Sequence, residues 1–256
     1  MTGKPPVSVI GRSILLLRAL NRHPKSTIDV LHKETGLAKS TISRLLQAFQ
    51  DEGIVRRAQY GVYYLTSAVT ELASGYQGEP KVVEAAKAIA DRLTEEILWP
   101  ISIGVQLGPA AMSVCYTTSP ASPLSFLHSQ AGMQLSLVSH AMGRAYLAFC
   151  TASKRNELID AVKRTSREDD LLAGDRAHIN EILTSVRHKG YALRDPRLRP
   201  ESLSLAVPIL EKRVAVGSVG LTWFSSTMTT EEAVHRYFPL LRTTASKISQ
   251  GLRSLP

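Results

Sequence analysis

Cysteine is scarce in this sequence: the 256 residues contain two, Cys115 and Cys150, which lie 35 positions apart. This number excludes a disulfide framework and a four-cysteine zinc site, and we expect two buried thiols. Long apolar runs are missing as well, since none reaches the roughly 18 residues that span a bilayer. The first residues lack the apolar core of a signal peptide. We therefore expect a soluble cytoplasmic protein without a membrane partner.

The sequence also lacks the motifs of common enzyme classes. It contains no nucleophile elbow, Walker loop or G-x-G-x-x-G segment. His32-Lys33-Glu34 resembles the start of a deaminase motif, but the cysteine pair that would complete its zinc site is missing. Ser139 and His140 are neighbours, so on a helix they would point about 100° apart, a poor geometry for a nucleophile and its base. We expect no enzyme, and because isolated histidines such as His128 and His140 usually serve packing or polar contacts, no metal and no cofactor.

Positive charge is concentrated at the N-terminal end of the chain. Residues 1–64 carry ten Lys/Arg and four Asp/Glu, a net charge of +6, whereas residues 65–256 carry 21 and 18, a net charge of +3. A small basic domain suits a polyanion, because each neutralised phosphate releases condensed counterions. A solvated basic surface is the alternative that charge alone leaves open.

The first two helices are predicted from the spacing of apolar residues and from the residues that begin and end helices. Apolar residues recur at helical period between Ile10 and Leu20, which predicts a first helix. Ser26, followed three residues later by Asp29, predicts the N-cap of a second helix. Gly36 stands where a helix commonly ends in the left-handed conformation.

The segment GLAKSTISRLLQAFQDEGIV predicts a glycine-containing turn and a third helix over about residues 39–52, which Gly53 ends. The following run IVRRAQYGVYYL is rich in β-branched and aromatic residues and predicts a hairpin with its turn near Gln59–Gly61. The order of helix, capped helix, glycine turn, third helix and basic hairpin is typical of a winged helix-turn-helix.

The third helix has two contrasting faces. Ile42, Leu45, Leu46 and Phe49 form one apolar stripe, and the opposite face carries short hydroxyls, a guanidinium and an amide that can reach base edges and phosphates in a major groove. An ordinary amphipathic surface helix is the alternative. We expect Arg44 and Gln47 to contact base edges, and Ser40, Ser43, Arg56 and Arg57 to contact phosphates. The candidate DNA-binding residues are Lys39, Ser40, Thr41, Ser43, Arg44, Gln47, Arg56, Arg57 and Gln59.

The rest of the chain mixes helices with apolar β runs, which predicts an α+β protein. Gly75, Gly78 and Pro80 mark a hinge, so we expect a DNA-binding domain in residues 1–66, a linker helix in residues 67–79 and a second domain in residues 80–256. Thr229 and Glu232 predict the start of a last helix that Pro239 should kink or divide.

Several of these segments together resemble the IclR (isocitrate lyase regulator) family of bacterial transcription factors. SVIGRSILLLRAL, GLAKSTISRLLQAFQDEGIVRR and YYLT are similar to its winged helix-turn-helix, and LSLVSHAMGRAYLAF and VRHKGYALRDPRLRPESLSLAVPI are similar to its effector-binding domain. Trp99–Pro100 and LSFLHSQAG resemble a subgroup that controls aromatic-acid catabolism. The resemblance implies a GAF-like mixed α/β domain that binds small carboxylic acids, and dimers that pair into tetramers.

The resemblance also implies a binding pocket between a central helix and the sheet. Phe126, Leu127 and Met142 would form its apolar wall, and Ser204 and Thr222 would supply hydroxyls. The effector-binding candidates are Phe126, Leu127, Ala141, Met142, Arg194, Ser204, Gly220 and Thr222.

The sequence departs from the family where the family usually carries acidic residues. Arg194, Arg197 and Arg199 stand there, and a guanidinium can clamp a carboxylate through two hydrogen bonds. We hypothesise an anionic effector with Arg194 as its charge partner; alternatively, these arginines form a solvated loop or pair with Asp195 and Glu201. Val138 and Arg144 replace the usual histidine and lysine.

The expected function is a sequence-specific transcriptional regulator. Its partners would be double-stranded operator DNA, a small carboxylate effector and a second copy of the chain, because one helix reads only half of a symmetric site. Two alternatives remain at this level. One is a ligand-binding or enzymatic α/β domain with a protein-interaction head, and the other is nonspecific nucleic-acid binding.

Overall fold

The computed structural model describes residues 8–74, 80–108, 110–125, 130–165 and 167–255. The chain divides into two compact units, Met1–Gly78 and Glu79–Pro256. In the described part of the chain, no helix combines the length and the apolar character needed to cross a bilayer.

The N-terminal unit is a bundle of three helices with a two-stranded wing. Its elements are α1 (Val9–Arg22), α2 (Ile28–Thr35), α3 (Lys39–Asp51), β1 (Val55–Arg57), β2 (Tyr63–Leu65) and α4 (Ala68–Ser74). The strands β1 and β2 are antiparallel, and a turn of 3-10 helix at Gln59–Gly61 joins them. Leu16, Leu31, Ile42 and Leu46 are fully buried in one shared core. The predicted order of elements is therefore confirmed.

The predicted N-cap of α2 is wrong by one residue. The Thr27 hydroxyl accepts the Val30 amide at 3.4 Å and caps the helix. Ser26 is buried instead, and its backbone exchanges hydrogen bonds with Tyr63 on β2 at 3.0 and 2.8 Å. Ser26 thus ties the start of α2 to the wing. Gly36 ends α2 with a φ of 68°, as predicted.

The C-terminal unit is built on one six-stranded antiparallel sheet in the order β5-β4-β3-β8-β7-β6. Its strands are β3 (Ile101–Gln106), β4 (Met112–Thr117), β5 (Gln134–Leu135), β6 (Ala192–Leu193), β7 (Ser202–Glu211) and β8 (Val214–Phe224). Its helices are α5 (Lys81–Ile97), α6 (Ala141–Phe149), α7 (Ala152–Lys163), α8 (Arg176–Lys189) and α9 (Thr230–Ser254).

Helices cover both faces of this sheet. The buried helix α6 packs on β7 and β8, with α8 against it. On the other face α5 and α9 pack against each other and against β3 and β7, around Trp223 and Tyr237. Two apolar layers therefore enclose the sheet, and the α6 layer contains the candidate ligand site.

Two expectations for this unit need correction. Pro239 does not divide the last helix, because α9 continues as one helix from its Thr229–Glu232 capping box to Ser254; a kink at Pro239 stays a prediction. Cys150 is buried as expected, but Cys115 is only partly buried, and within the described residues neither cysteine forms a disulfide.

Candidate nucleic-acid interface and ligand cavity

The polar face of α3 is open to solvent. Ser40, Ser43, Arg44 and Gln47 are exposed, whereas the opposite apolar stripe packs in the core of the N-terminal unit, with two of its residues buried and two partly buried. This separation follows from the helical period, because positions three and four apart share a face. The face can therefore offer its hydroxyls, guanidinium and amide to a ligand outside the chain. Lys39 is exposed as well, and Thr41 is partly buried.

Two acidic side chains already contact the candidate residues of α3. The Lys39 ammonium lies 2.5 Å from the Asp29 carboxylate, and the hydrogen bond and charge of Lys39 hold the pKa of Asp29 below its usual range. The Gln47 amide donates to the Asp51 carboxylate at 2.8 Å. Asp51 follows Gln47 by one helical turn, so this acid lies on the same face as Arg44 and Gln47.

The wing places two arginines beside this helix in the same unit. Arg56 and Arg57 are exposed on β1, and the Arg57 guanidinium lies 5.7 Å from the centre of the Tyr63 ring. Gln59 lies in the turn between the strands, where the sequence predicts the turn. Tyr60, which is not among the candidates that the sequence predicts, is 95% exposed at the tip of the wing and has a left-handed φ of 61°.

A cavity lies between α6 and the sheet in the C-terminal unit. Small residues leave room there: a Cβ added at Gly220 would lie 2.9 Å from Met142 Cγ, and one added at Gly104 would lie 3.2 Å from Met142 Sδ. The cavity volume is about 70 Å³, which is space for several water molecules. The predicted effector residues that line it are Ala141, Met142, Arg194, Ser204, Gly220 and Thr222. Phe126 and Leu127 lie outside the described residues.

The walls of the cavity divide into an apolar and a polar part. Its apolar side chains are Val114, Met133, Leu135, Ala141, Met142, Leu205 and Leu221. On neighbouring strands Ser204 and Thr222 stand opposite each other, and their hydroxyls are hydrogen bonded at 2.9 Å. The other polar residues of the lining are Arg194, Arg199, His140, Ser102 and Ser202. Among the described lining residues none is acidic.

Arg194 is buried at the cavity wall, and its guanidinium is largely engaged in hydrogen bonds within the protein. Its Nη2 donates to the Arg199 carbonyl at 3.1 Å, to the Ser202 hydroxyl at 2.8 Å and to the Ser202 carbonyl. Its buried Nε has no partner among the described residues. Burial, followed by the charge of Arg199, lowers the pKa of this guanidinium.

His140 presents a second unpartnered atom at the same cavity. Its buried Nδ1 has no hydrogen-bond partner within the described part of the chain. Burial, followed by the charges of four arginines with Arg194 first, lowers the pKa of His140 to about 3. The ring is therefore neutral near pH 7, in surroundings of positive potential.

A buried network holds the loop before β7 against the start of α6. The Arg144 guanidinium donates to the carbonyls of Val138 at 2.7 Å and Leu193 at 2.9 Å, and lies 3.6 Å from Asp195. Arg197 binds the same carboxylate through Nε at 3.0 Å and Nη2 at 2.8 Å. Hydrogen bonds from Arg197 in particular lower the pKa of Asp195 to about 2. The alternative of internal pairing with Asp195 therefore holds for Arg197.

Arg199 differs from both neighbouring arginines. It is exposed, it lines the cavity, and it has no ion pair within the described residues. Its φ of 52° lies in the left-handed region although Pro200 follows it, a combination that strains the backbone. In the sequence Arg199 is a departure from the family, but no sequence pattern separates it from Arg194.

Among the described residues, no group of three His, Cys, Asp or Glu side chains is placed so that it could hold a metal ion. The Ser139 hydroxyl donates to the Asp169 carbonyl at 2.6 Å. It is therefore not paired with His140 as a nucleophile with a base would be.

Comparisons with known proteins agree on both units. The IclR helix-turn-helix domain model matches residues 9–59, and the model of the bacterial transcriptional regulator IclR C-terminal domain matches residues 76–250. The transcriptional regulator KdgR of Escherichia coli is 25% identical over 251 residues, which cover 95% of this chain and 92% of KdgR.

Solved structures share the fold over nearly the whole chain. The IclR regulator of Alicyclobacillus acidocaldarius is 21% identical with a TM-score of 0.67, and the match covers 96% of this chain and 99% of that one. An IclR homolog of Microbacterium hydrocarbonoxydans, complexed with 4-hydroxybenzoate, is 18% identical with a TM-score of 0.67, and the match covers 97% and 100%.

The expected α+β architecture, with a helix-turn-helix followed by an α/β domain, is thus confirmed. The chain belongs to the IclR family of bacterial DNA-binding transcriptional regulators.

Proposed function

We propose that this regulator binds a two-fold symmetric operator as a homodimer, in the cytoplasm, and that a small carboxylate bound in the α6 cavity changes its operator affinity. The observation that carries the effector part is a cavity with two buried nitrogen atoms that have no hydrogen-bond partner, and one guanidinium that has no ion pair, among the described residues. These belong to His140, Arg194 and Arg199.

The chemistry of the polar wall supports an anion. A buried donor without a partner costs free energy, and a ligand oxygen can remove that cost. Arg194 Nε is such a donor, and His140 Nδ1 can be one in the appropriate tautomer. No acidic residue is among the described lining residues, and the acidic charges that act on Arg194, those of Glu201 and Asp169, come from outside the lining. The lining itself is therefore positively charged.

The apolar wall supports a ligand with a hydrophobic body. Val114, Leu135 and Leu221 face the same cavity as the cationic groups, so a small acid can place its carboxylate at one end and its carbon skeleton at the other. The homolog from Microbacterium hydrocarbonoxydans is complexed with an acid of this shape, 4-hydroxybenzoate. We therefore include aromatic acids in the proposed class.

For DNA, we assign Arg44 and Gln47 to base edges, and Ser40, Ser43, Arg56 and Arg57 to phosphates. All six side chains are exposed, and α3 is the second helix of the helix-turn-helix, the one that enters the major groove in this motif. We also infer a homodimer, because two heads are needed for two half-sites, and we propose that dimers can pair into tetramers.

Control of DNA binding requires that the effector bind the DNA-competent and DNA-incompetent states with different affinity. We propose no catalytic step for the cavity, since the Ser139 hydroxyl is bonded to a backbone carbonyl and not to the neighbouring histidine.

Two measurements test this function. Calorimetric titration of the full chain with small aliphatic and aromatic acids, each paired with its neutral amide, should show binding of at least one acid and not of its amide. Gel shifts on DNA selected from a random pool should then show an affinity change of at least about 5-fold when that acid saturates the protein. Binding of amides and acids alike, or a selected operator indifferent to every bound acid, would contradict effector control.

A further inference from the structure

Tyr60 combines an unfavourable backbone conformation with a side chain that is almost fully exposed to solvent. Its φ of 61° and ψ of 23° lie in the left-handed region, and the residue is 95% exposed. The Cβ atom of any residue other than glycine makes this conformation unfavourable. Tyrosine also lacks the short polar side chain that allows asparagine to adopt it. Strain of this kind is retained where the surroundings or the function require it.

The wing itself does not require a tyrosine at this position. The turn is closed by the Ala58 amide, which donates to the Val62 carbonyl at 2.7 Å, and Gly61 supplies a second left-handed residue with a φ of 70°. The Tyr60 ring takes no part in the core of the N-terminal unit. Glycine or asparagine would form the same turn with less strain, so the fold alone does not explain the tyrosine.

The surroundings of the tip suit a nucleic acid. Arg56 and Arg57 are exposed on the strand that leads to it, and a Cβ added at Gly61 would lie 3.9 Å from the Arg57 guanidinium. The described wing, residues 54–66, contains no acidic residue. An aromatic ring is thus presented to solvent next to positive charge, in the unit that carries the helix-turn-helix.

We propose that Tyr60 is a DNA-binding residue whose ring packs against deoxyribose in the minor groove beside the segment that α3 reads. The inference rests on the proposed function of the N-terminal unit. Wings and arms that enter this groove carry apolar side chains against sugars and base steps, while arginines hold the adjacent phosphates. Because the ring carries no charge, its contact adds affinity without releasing counterions.

The test compares the full-length wild type with Tyr60→Asn and Tyr60→Phe on DNA that the wild type selects from a random pool. Tyr60→Asn should bind about 10-fold more weakly, a typical loss for one aromatic contact to a nucleic acid, with the same slope of affinity against salt. Its Tm should equal or exceed that of the wild type because the strain is relieved. Tyr60→Phe keeps the ring and should bind within about 2-fold of the wild type.

Leu98→Asn is the matched control, since Leu98 is also left-handed, with a φ of 67°, and is 49% exposed, but lies in the C-terminal unit. It should leave DNA affinity unchanged. If Tyr60→Asn binds the selected DNA as tightly as the wild type while Arg44→Ala loses discrimination, the inference is wrong and the regulator function stands. A wild type that selects no sequence overturns both, and a lowered Tm for Tyr60→Asn would make Tyr60 a structural residue and overturn the inference alone.

Discussion

The Arg194 guanidinium donates to the Ser202 hydroxyl at 2.8 Å, and the same nitrogen donates to the carbonyl of Arg199 at 3.1 Å. These bonds fix the segment between two arginines that the sequence alone cannot distinguish. Arg194 therefore positions the loop, and Arg199 is left with a guanidinium that has no ion pair among the described residues. This division of roles makes the two positions separable by mutation.

We expect Arg199→Asn to weaken binding of the effector acid by about 10- to 100-fold, the range for one lost charge-assisted hydrogen bond. Its Tm should not fall, because asparagine tolerates the left-handed backbone better than arginine. Arg194→Met should lower both the affinity and the Tm, since it leaves the Ser202 and Arg199 carbonyls without their donor. Calorimetry and thermal unfolding check both variants.

Arg197→Gln serves as the charge-matched control for Arg199→Asn. The Arg197 side chain is 73% exposed and is bonded to Asp195, so its loss should change effector affinity by less than about 3-fold. If Arg197→Gln and Arg199→Asn weaken binding equally, long-range charge and not a direct contact explains the affinity.

His140 makes stability depend on pH in a defined window. Its pKa falls from 6.5 to about 3 in the folded chain, so between these values the unfolded state binds more protons than the folded state. The contribution of neutral His140 to the free energy of unfolding is therefore fully present above about pH 6.5 and decreases as the pH falls toward 3. At pH 5 the loss should be about 2 kcal/mol relative to pH 7.

Chemical denaturation of the wild type and of His140→Asn between pH 7 and 4.5 measures this effect. The variant should show a flatter profile, because it lacks the group that titrates only when unfolded. Asp195 does not affect the comparison. Its pKa is 3.8 in the unfolded chain and about 2 in the folded chain, so the stability that it contributes is lost mainly below pH 3.8. Parallel profiles for the two proteins would show that His140 is not buried as a neutral ring.

The N-terminal unit was largely predictable from the sequence for physical reasons. The exposure of Arg44 and Gln47 follows from helical period once the buried stripe is recognised, and Gly36 and Gly53 mark helix ends because they accept left-handed backbone. Tyr60 was missed because Gly61 already explains the turn, and no pattern shows that its neighbour is left-handed as well.

The cavity was less predictable, because its chemistry depends on contacts between distant segments. Arg194, Arg197 and Arg199 lie within six residues, yet the first is clamped by backbone groups, the second pairs with Asp195 and the third lines the cavity without an ion pair among the described residues. His140 joins them from the start of α6. Which guanidinium remains available is decided by tertiary structure, so the sequence predicted an anionic effector but not this division of roles.

Asp51 should oppose DNA binding. Its carboxylate lies on the same face of α3 as Arg44 and accepts the Gln47 amide at 2.8 Å, so on a duplex it would face phosphates and compete for Gln47. Asp51→Asn should therefore raise affinity about 3- to 10-fold at low salt, for specific and nonspecific DNA alike. Fluorescence anisotropy with both kinds of duplex measures the change.

Glu52→Gln provides the comparison, because Glu52 is also exposed and acidic but points about 100° away around the helix. It should raise affinity less than Asp51→Asn. Equal gains would mean that only net charge matters and that Asp51 does not face the duplex.

Substitutions at two glycines of β8 distinguish an effect on the size of the cavity from an effect on the stability of the sheet. A Cβ at Gly220 would lie 2.9 Å from Met142 Cγ, whereas a Cβ at Gly217 would lie 2.9 Å from the Gly104 carbonyl and 3.2 Å from Val82, on the α5 side. Gly220→Ala should therefore displace a flexible side chain into the cavity and weaken effector binding by at least about 10-fold, at a cost of about 1 kcal/mol in stability.

Gly217→Ala should show the reverse, because its new methyl group meets backbone that cannot move aside. We expect a loss of about 2 kcal/mol or more in the free energy of unfolding, with effector affinity within about 2-fold of the wild type for the protein that remains folded. Denaturant unfolding and calorimetric titration on both variants distinguish the two effects. Equal losses of affinity would mean that the ligand does not occupy the space between Met142 and β8.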